Sequence, residues 1–464
     1  MNTDFSRRHF LKLSALAAGA TTLGFPALLR AQNAGTQLNV AFIGLGAMAQ
    51  NRIGEAMKWC GNLVKIVAIC DVDARQIAAA KEHMLKIDPN AAVGDIKTYS
   101  DYRKLLAEDK NVDAVVIATP DHWHFHIAKA SLKAGKHVFC EKPLAHTIAE
   151  TRELSQLAES SKLVTQMGNQ GSSMTCLRRA IEIIQAGVIG NVKEVRIWAR
   201  GTGCHPGLEM PAEADPIPKG FNWDQWLGPA PVRLYKNGYY HKWNWRGWLD
   251  FGSGPIGDFC CHDMNLPVRA LKLGYPTSIQ VTAELMGLPT YPKDAHIAFE
   301  FPQRGDLPPV TLHWRDGGLA TNPQHEDVPQ AIWDHVGDKF PQGVLILGEN
   351  GFTFGGHWQG AEYIKLNNEA KLSGIWNHAA SKAVAQTLPH SPGHMREWVD
   401  ACLGGNPTFS PFQVGGPLTE IGLAGVVAAR VGSKKLEWDG LSMKAKNAPE
   451  AAQYIHTQYR QDWI

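Results

Sequence analysis

The sequence predicts an α/β protein: an amino-terminal Rossmann-type, doubly wound parallel sheet, followed by an α/β region whose sheet is mostly antiparallel. Three observations predict it. Short apolar strands alternate with helical stretches from residue 38 to residue 140, the spacing of a parallel sheet covered by helices. From about residue 158 the pattern shifts to KEVRIWAR, TSIQVTAEL, AHIAFEF and PVTLHWRD, whose period near two marks strands with one packed face. The chain has 464 residues, more than one ordinary core accommodates. The expected division is therefore a leader at 1–34, a first α/β domain at 36–157 and a second domain at 158–464.

Composition narrows the class. Hydrophobic residues make up 44% and charged residues 19%, as in globular proteins, and the net charge is +2 without a run of five basic residues. Nucleic acid is therefore not an expected partner. Eight cysteines occur, none spaced Cys-x-x-Cys, so neither a zinc knuckle nor a dense disulfide framework is expected. At the amino terminus, SRRHFLK places Arg7 and Arg8 before LSALAAGATTLGFPALL and RAQNAG. This resembles a twin-arginine export signal and implies a periplasmic protein that folds before export. Pro26 and the Ala, Gly and Thr content make the segment a poor membrane span, so no stable span is expected after processing.

The first element, LNVAFI, runs into a turn carrying Gly44, Gly46 and Ala49 ahead of a helix. Gly44 permits the tight turn, Gly46 lets backbone approach a pyrophosphate, and Ala49 allows close helix packing. The second strand, VKIVAICDVD, reaches Asp71, whose carboxylate can accept both adenosine ribose hydroxyls and repel a 2′-phosphate. NAD is expected over NADP, although Arg75 stands close by and Asp71 also suits a helix cap. The strand VDAVVIATP closes on Thr119 and Pro120, and KHVFCEKPLAH ends its apolar run on Glu141, Lys142 and Pro143. A proline there ends the ladder and holds the acid and the amine at the sheet edge where ligands bind. Between them His122, His124 and His126 enter a helix, where residues two apart do not share a face, so no metal site is expected.

Together GLGAMA, CDVD, ATPDHWHFHIAKASLKAGKHVFCEKPLAHTIAE and LRRAIEIIQAGVIGNVKEV resemble the Gfo/Idh/MocA oxidoreductases. The resemblance implies a Rossmann domain binding NAD and a second domain with a large open sheet that often forms the homo-oligomer contact. It places Lys142 near the nicotinamide and the substrate hydroxyl, and His124 in the loop beside the cofactor. Thr119, Pro120 and Glu141 then border the cofactor's path. An ammonium at that point can stabilise an alkoxide-like transition state.

In the second half, YYHKWNWRGWLDFGSGPIGDFCCHDMNLPVRAL carries Asp258 and His262 four residues apart on one predicted helix. They share a helical face, and an imidazole can take a hydroxyl proton while hydride leaves the same carbon. The pair looks like the family's aspartate and histidine motif, which completes a catalytic group of Lys142, Asp258 and His262. Cys261 stands where the family often has glycine and Asn265 where it often has an acid; Pro267 is expected to kink the helix. Aromatics crowd the approach. Tyr240 and Trp245 offer faces to a sugar ring while His241 and Arg246 can bond its hydroxyls; equally, these rings can simply pack a long loop. The expected activity is hydride transfer between a carbohydrate or polyol and a tightly held NAD. Two alternatives remain: hydrolysis of a glycoside through transient oxidation, with Tyr240, His241 or Asp250 as a further acid or base, and a catalytically silent NAD-dependent sensor.

Overall fold

A computed structural model describes residues 37–199, 205–320, 328–337 and 342–463; the leader expected at 1–34 lies outside them. Strand β1 (Leu38–Ile43) turns at Gly44 into helix α1 (Ala47–Glu55), and β2 (Val64–Cys70) leads to α2 (Ala74–Ile87). Next come β3 (Lys97–Tyr99), β4 (Ala114–Ile117), α3 (Asp121–Lys133), β5 (His137–Cys140), α4 (Ile148–Ser161) and β6 (Thr165–Met167). The six strands pair in parallel in the order β3-β2-β1-β4-β5-β6. Every residue of β4 is buried, as a strand covered by helices on both faces must be. The order reverses between β1 and β4, so their carboxyl ends open a crevice for a ligand.

The second sheet begins with β7 (Val192–Trp198), after which comes α5 (Gly254–Asp263). It continues through β8 (Ser278–Glu284), β9 (Lys293–Phe301), β10 (Val310–Arg315), β11 (Gly343–Gly348), β12 (Gly351–Gly355), β13 (Tyr363–Leu366) and β14 (Ser373–Gly374). Helix α6 (Phe412–Val431) and the strands β15 (Leu436–Asp439) and β16 (Lys444–Ala445) follow. The sheet order is β14-β13-β12-β11-β7-β10-β9-β8-β15-β16, antiparallel except for the β7/β10 pair. The alternation in β10, buried at Val310, Leu312 and Trp314, is the one-face packing its sequence predicts.

Helix α6 joins the two layers. It is apolar enough to cross a membrane by length and composition, but 78% of its window is buried inside the fold. Its glycines explain how. A Cβ at Gly422 would strike Cys260 of α5, and one at Gly416 would strike Ser155 of α4. Arg152 of α4 also grips Glu420 of α6 through two bonds of 2.7 and 2.6 Å. Helix α5 ends at Asp263, and Pro267 falls inside a separate short helix, Asn265–Ala270; the expected kink is a break at Met264.

Candidate active site

A cavity of about 390 Å³ lies at the carboxyl edge of the parallel sheet, lined by Gly44, Gly46, Asp71, Thr119, Pro120, Glu141 and Lys142, with His241, Trp245 and Arg246 from the second half. Gly44 has φ +79°, and a Cβ on it would stand 2.7 Å from Thr119 Cγ2, so the left-handed turn and the strand contact both require glycine. Gly46 is different. A Cβ there would meet no protein atom within 4 Å, so the protein itself leaves that space open. Gly46 also begins α1 with no side-chain cap and no acid in the first turn, which leaves its N–H groups for an anion. Ala49 is fully buried under the helix.

Asp71 accepts the Leu45 N–H at 2.7 Å and the Asp73 N–H at 2.9 Å. Burial pushes its carboxyl up to about 6, against the pull of those amides. Each oxygen keeps a further lone pair, so the ribose-binding role fits the geometry. Arg75, which clouded the choice of nucleotide, is clasped by Asp73 through bonds of 2.8 and 2.7 Å. Asp73 caps α2 and lies 4.0 Å from His241 Nε2. His241 therefore lines the cavity at its Asp71 end, with Phe221 as its ring neighbour at 4.9 Å.

At the other end, Lys142 Nζ donates to the Asp258 backbone oxygen at 2.7 Å and also pairs with the Asp258 carboxylate. An ammonium has three donors, so one is left for the cavity. The Lys142–Pro143 peptide is cis. Burial alone would raise the Asp258 carboxyl, but Lys142 and then Arg246 hold it below the usual carboxylate range. Arg246 Nε stands 3.5 Å from Asp258 Oδ2, and its guanidinium lies 3.9 Å from the Trp243 ring centre and 4.4 Å from that of Trp245. His262 is buried beside this group, with no bond at Nδ1 and the Trp358 ring 5.5 Å away. Burial, then Lys142, hold its imidazole well below the ordinary range, against Asp258, which keeps it neutral and makes it a weak base in the absence of substrate. Asp258 and His262 do not themselves line the cavity; Asp258 reaches its wall through Lys142 and Arg246.

Besides Asp258 and His262, two more expected site residues sit off the cavity wall. His124 is buried behind the wall, its ring nitrogens 2.7 Å from the Pro143 oxygen and 2.9 Å from the Thr119 oxygen; it braces the loops that line the cavity. Tyr240 is fully buried in an aromatic cluster with Trp223, Trp248 and Phe251. Most rings of that stretch pack, whereas Trp243 stays 52% exposed on the cavity. His122 Nε2 faces the Trp226 oxygen at 3.0 Å, so it and His124 have separate partners.

Other residues of the site went unread in the sequence. Buried Arg52 of α1 donates to Glu141 at 2.6 Å and to Glu55, and a Cβ at Gly168 would come within 2.6 Å of the Glu141 carboxyl. Asp121, at the start of α3, lines the cavity and accepts from Ser253 at 3.4 Å. Burial, then repulsion from Asp258, push its carboxyl up to about 8, against Arg246 and Lys142. Its position directly after Thr119-Pro120 was the available signal.

Strand order, glycine turn, acid after β2 and lysine after β5 define a dinucleotide-binding α/β protein. Residues 38–169 match the model of an oxidoreductase family's NAD-binding Rossmann fold and residues 180–286 that of its C-terminal alpha/beta domain. The chain belongs to the Gfo/Idh/MocA oxidoreductase family and carries its NAD-binding fold. Residues 4–24 match the twin-arginine translocation signal. Among curated relatives, glycosyl hydrolase family 109 protein 2 of Shewanella sp. (strain ANA-3) is 27% identical over 329 residues, 66% of this chain and 64% of its own length. An alpha-N-acetylgalactosaminidase of Shewanella oneidensis is 33% identical over 182 residues, 34% of this chain and 38% of its own. The WlbA dehydrogenase of Bordetella pertussis, solved with NADH and UDP-GlcNAcA, shares the fold at a TM-score of 0.59 and 17% identity, covering 87% of this chain and 99% of that one.

Proposed function

We propose that the protein is an NAD-dependent oxidoreductase acting on a carbohydrate or polyol hydroxyl. The observation that carries this reading is that Gly44, Gly46, Asp71, Lys142 and Arg246 line one cavity. The glycine turn and the first turn of α1 would hold the pyrophosphate, and Asp71 the adenosine ribose. A bound nicotinamide dinucleotide supplies the acceptance and return of hydride. Oxidation of a C–OH group removes the carbon-bound hydrogen as hydride and the hydroxyl hydrogen as a proton, leaving C=O. Lys142 directs its remaining N–H at the reacting oxygen, and His262, one helical turn from Asp258 and not itself on the cavity wall, is the base that receives the proton by way of the Lys142–Asp258 pair. Asp258 orients Lys142 and offsets its charge. Trp243, Trp245 and Arg246 offer the ring faces and donors a sugar needs.

The names of the glycosyl hydrolase family 109 relatives favour a second reading. Here oxidation at C3 acidifies the C2 hydrogen, the C1 substituent is eliminated, and water addition with hydride return completes hydrolysis. Such chemistry needs an acid for the leaving group. Asp121, whose carboxyl burial and Asp258 push up to about 8 and which lines the cavity, fits that need better than Tyr240, which is in the core, or Asp250, which Arg233 holds at 2.9 Å.

The two readings separate on aryl glycosides and free sugars. Aglycone release with solvent deuterium at C2 denotes hydrolysis; a stable keto sugar denotes dehydrogenation. His262→Ala and Lys142→Met each lower kcat by about 100-fold or more with nucleotide still bound. Unimpaired turnover in His262→Ala would remove that residue as the base. We further propose a periplasmic location, a domain division just after β6 rather than at residue 158, which falls inside α4, and a homo-oligomer across the outer face of the second sheet, where Glu194, Arg196 and His313 are half-buried; sedimentation of the purified protein tests the last.

A further inference from the structure

We propose that Trp463 closes the adenosine half of the cavity and is a nucleotide-retaining residue, an inference that rests on the cavity holding NAD. Asp71 marks the adenosine end. Its N–H donates to the Tyr99 oxygen at 3.1 Å, three residues before Tyr102, and from there the cavity wall is aromatic: Tyr102 and Trp123 meet edge to face at 5.7 Å, and Trp463 stands edge-on to Trp123 at 5.6 Å, all three lining the cavity. Trp463 lies 360 residues beyond Arg103 in sequence, yet the Arg103 guanidinium sits 4.8 Å from its ring centre.

The segment that carries this ring is anchored at several points. Tyr459 donates its hydroxyl to Glu150 at 2.9 Å and packs on His126 of α3 at 4.7 Å. Arg460 donates its backbone N–H to the Pro229 oxygen at 3.0 Å, pairs with Asp224 at 2.8 Å, and lays its guanidinium 5.2 Å from the Trp463 ring centre. These anchors hold the indole against Trp123 and Arg103 independently of any ligand. A flat apolar base in that slot gains aromatic contact and loses its route to water. A protein that must keep its nucleotide where little is free to replace it needs such a wall.

The test uses the full chain and three probes: NADH, ADP-ribose and nicotinamide mononucleotide. Trp463→Ala is expected to weaken NADH and ADP-ribose alike by about tenfold, the scale of one lost base–aromatic contact. It should speed NADH release in stopped-flow fluorescence by a similar factor and leave mononucleotide binding as in wild type. Trp463→Phe keeps a ring and should retain most of the affinity, and Arg103→Gln should lose a smaller part. Wild-type ADP-ribose affinity in Trp463→Ala overturns the inference and leaves the cavity reading standing. An equal loss for mononucleotide, which signals general damage, overturns it too. A wild-type chain that binds no NADH removes the cavity reading and the inference together.

Discussion

Asp121 illustrates how a single side chain changes meaning once its neighbours are known. In sequence it is the acid after Thr119-Pro120; in the fold it is a buried carboxyl raised by burial and by the charge of Asp258, against Arg246 and Lys142. An unfolded aspartate titrates near about 3.9, so a folded value raised to about 8 means that ionisation works against the fold. The stabilising contribution is complete below about pH 4 and is lost as the pH rises to about 8. Asp121→Asn removes that loss. We expect it to raise the Tm of the nucleotide-free protein strongly at pH 9, much less at pH 5, and hardly at all at pH 3. A Tm difference equal at all three pH values would show that the carboxyl is already ionised in the fold.

Elements, rather than residues, explain why Glu141 and Lys142 are held at the sheet edge. The proline after them was enough to expect the end of β5 there. What holds and orients Glu141 is Arg52, on the buried face of α1, 89 positions earlier, with Gly168 beyond β6 leaving room beneath it. Removing one partner of a buried ion pair strands the other. Arg52→Met should cost ~3–5 kcal/mol in urea denaturation, and Glu141→Gln placed in that background should recover part of it. No recovery would mean that Arg52 matters for packing rather than charge. The fit of α6 to α5 follows the same rule: Gly422 was legible as a glycine in a helix, but its reason, the sulfur of Cys260 against it, belongs to another element.

For the whole molecule, the twin-arginine signal at residues 4–24 sets the order of events. That pathway carries proteins folded before they cross the membrane. Replacing Arg7 and Arg8 by lysine should leave the protein in the cytoplasmic fraction on cell fractionation; unchanged recovery outside it would mean another route. The amino-acid order by itself determined the strand and helix alternation, the glycine turn, Asp71 after β2, and Lys142 ahead of a proline. Each of these depends on residues within a few positions of one another, through backbone sterics and local periodicity. Only the tertiary structure decided that Tyr240 is core while Trp243 faces the cavity, that His241 lies by Asp73, and that Asp121, Arg52 and Trp463 belong to the site. Those meetings join residues far apart in the chain, and the packing of α6 against α4 and α5, not any local preference, brings the two halves together.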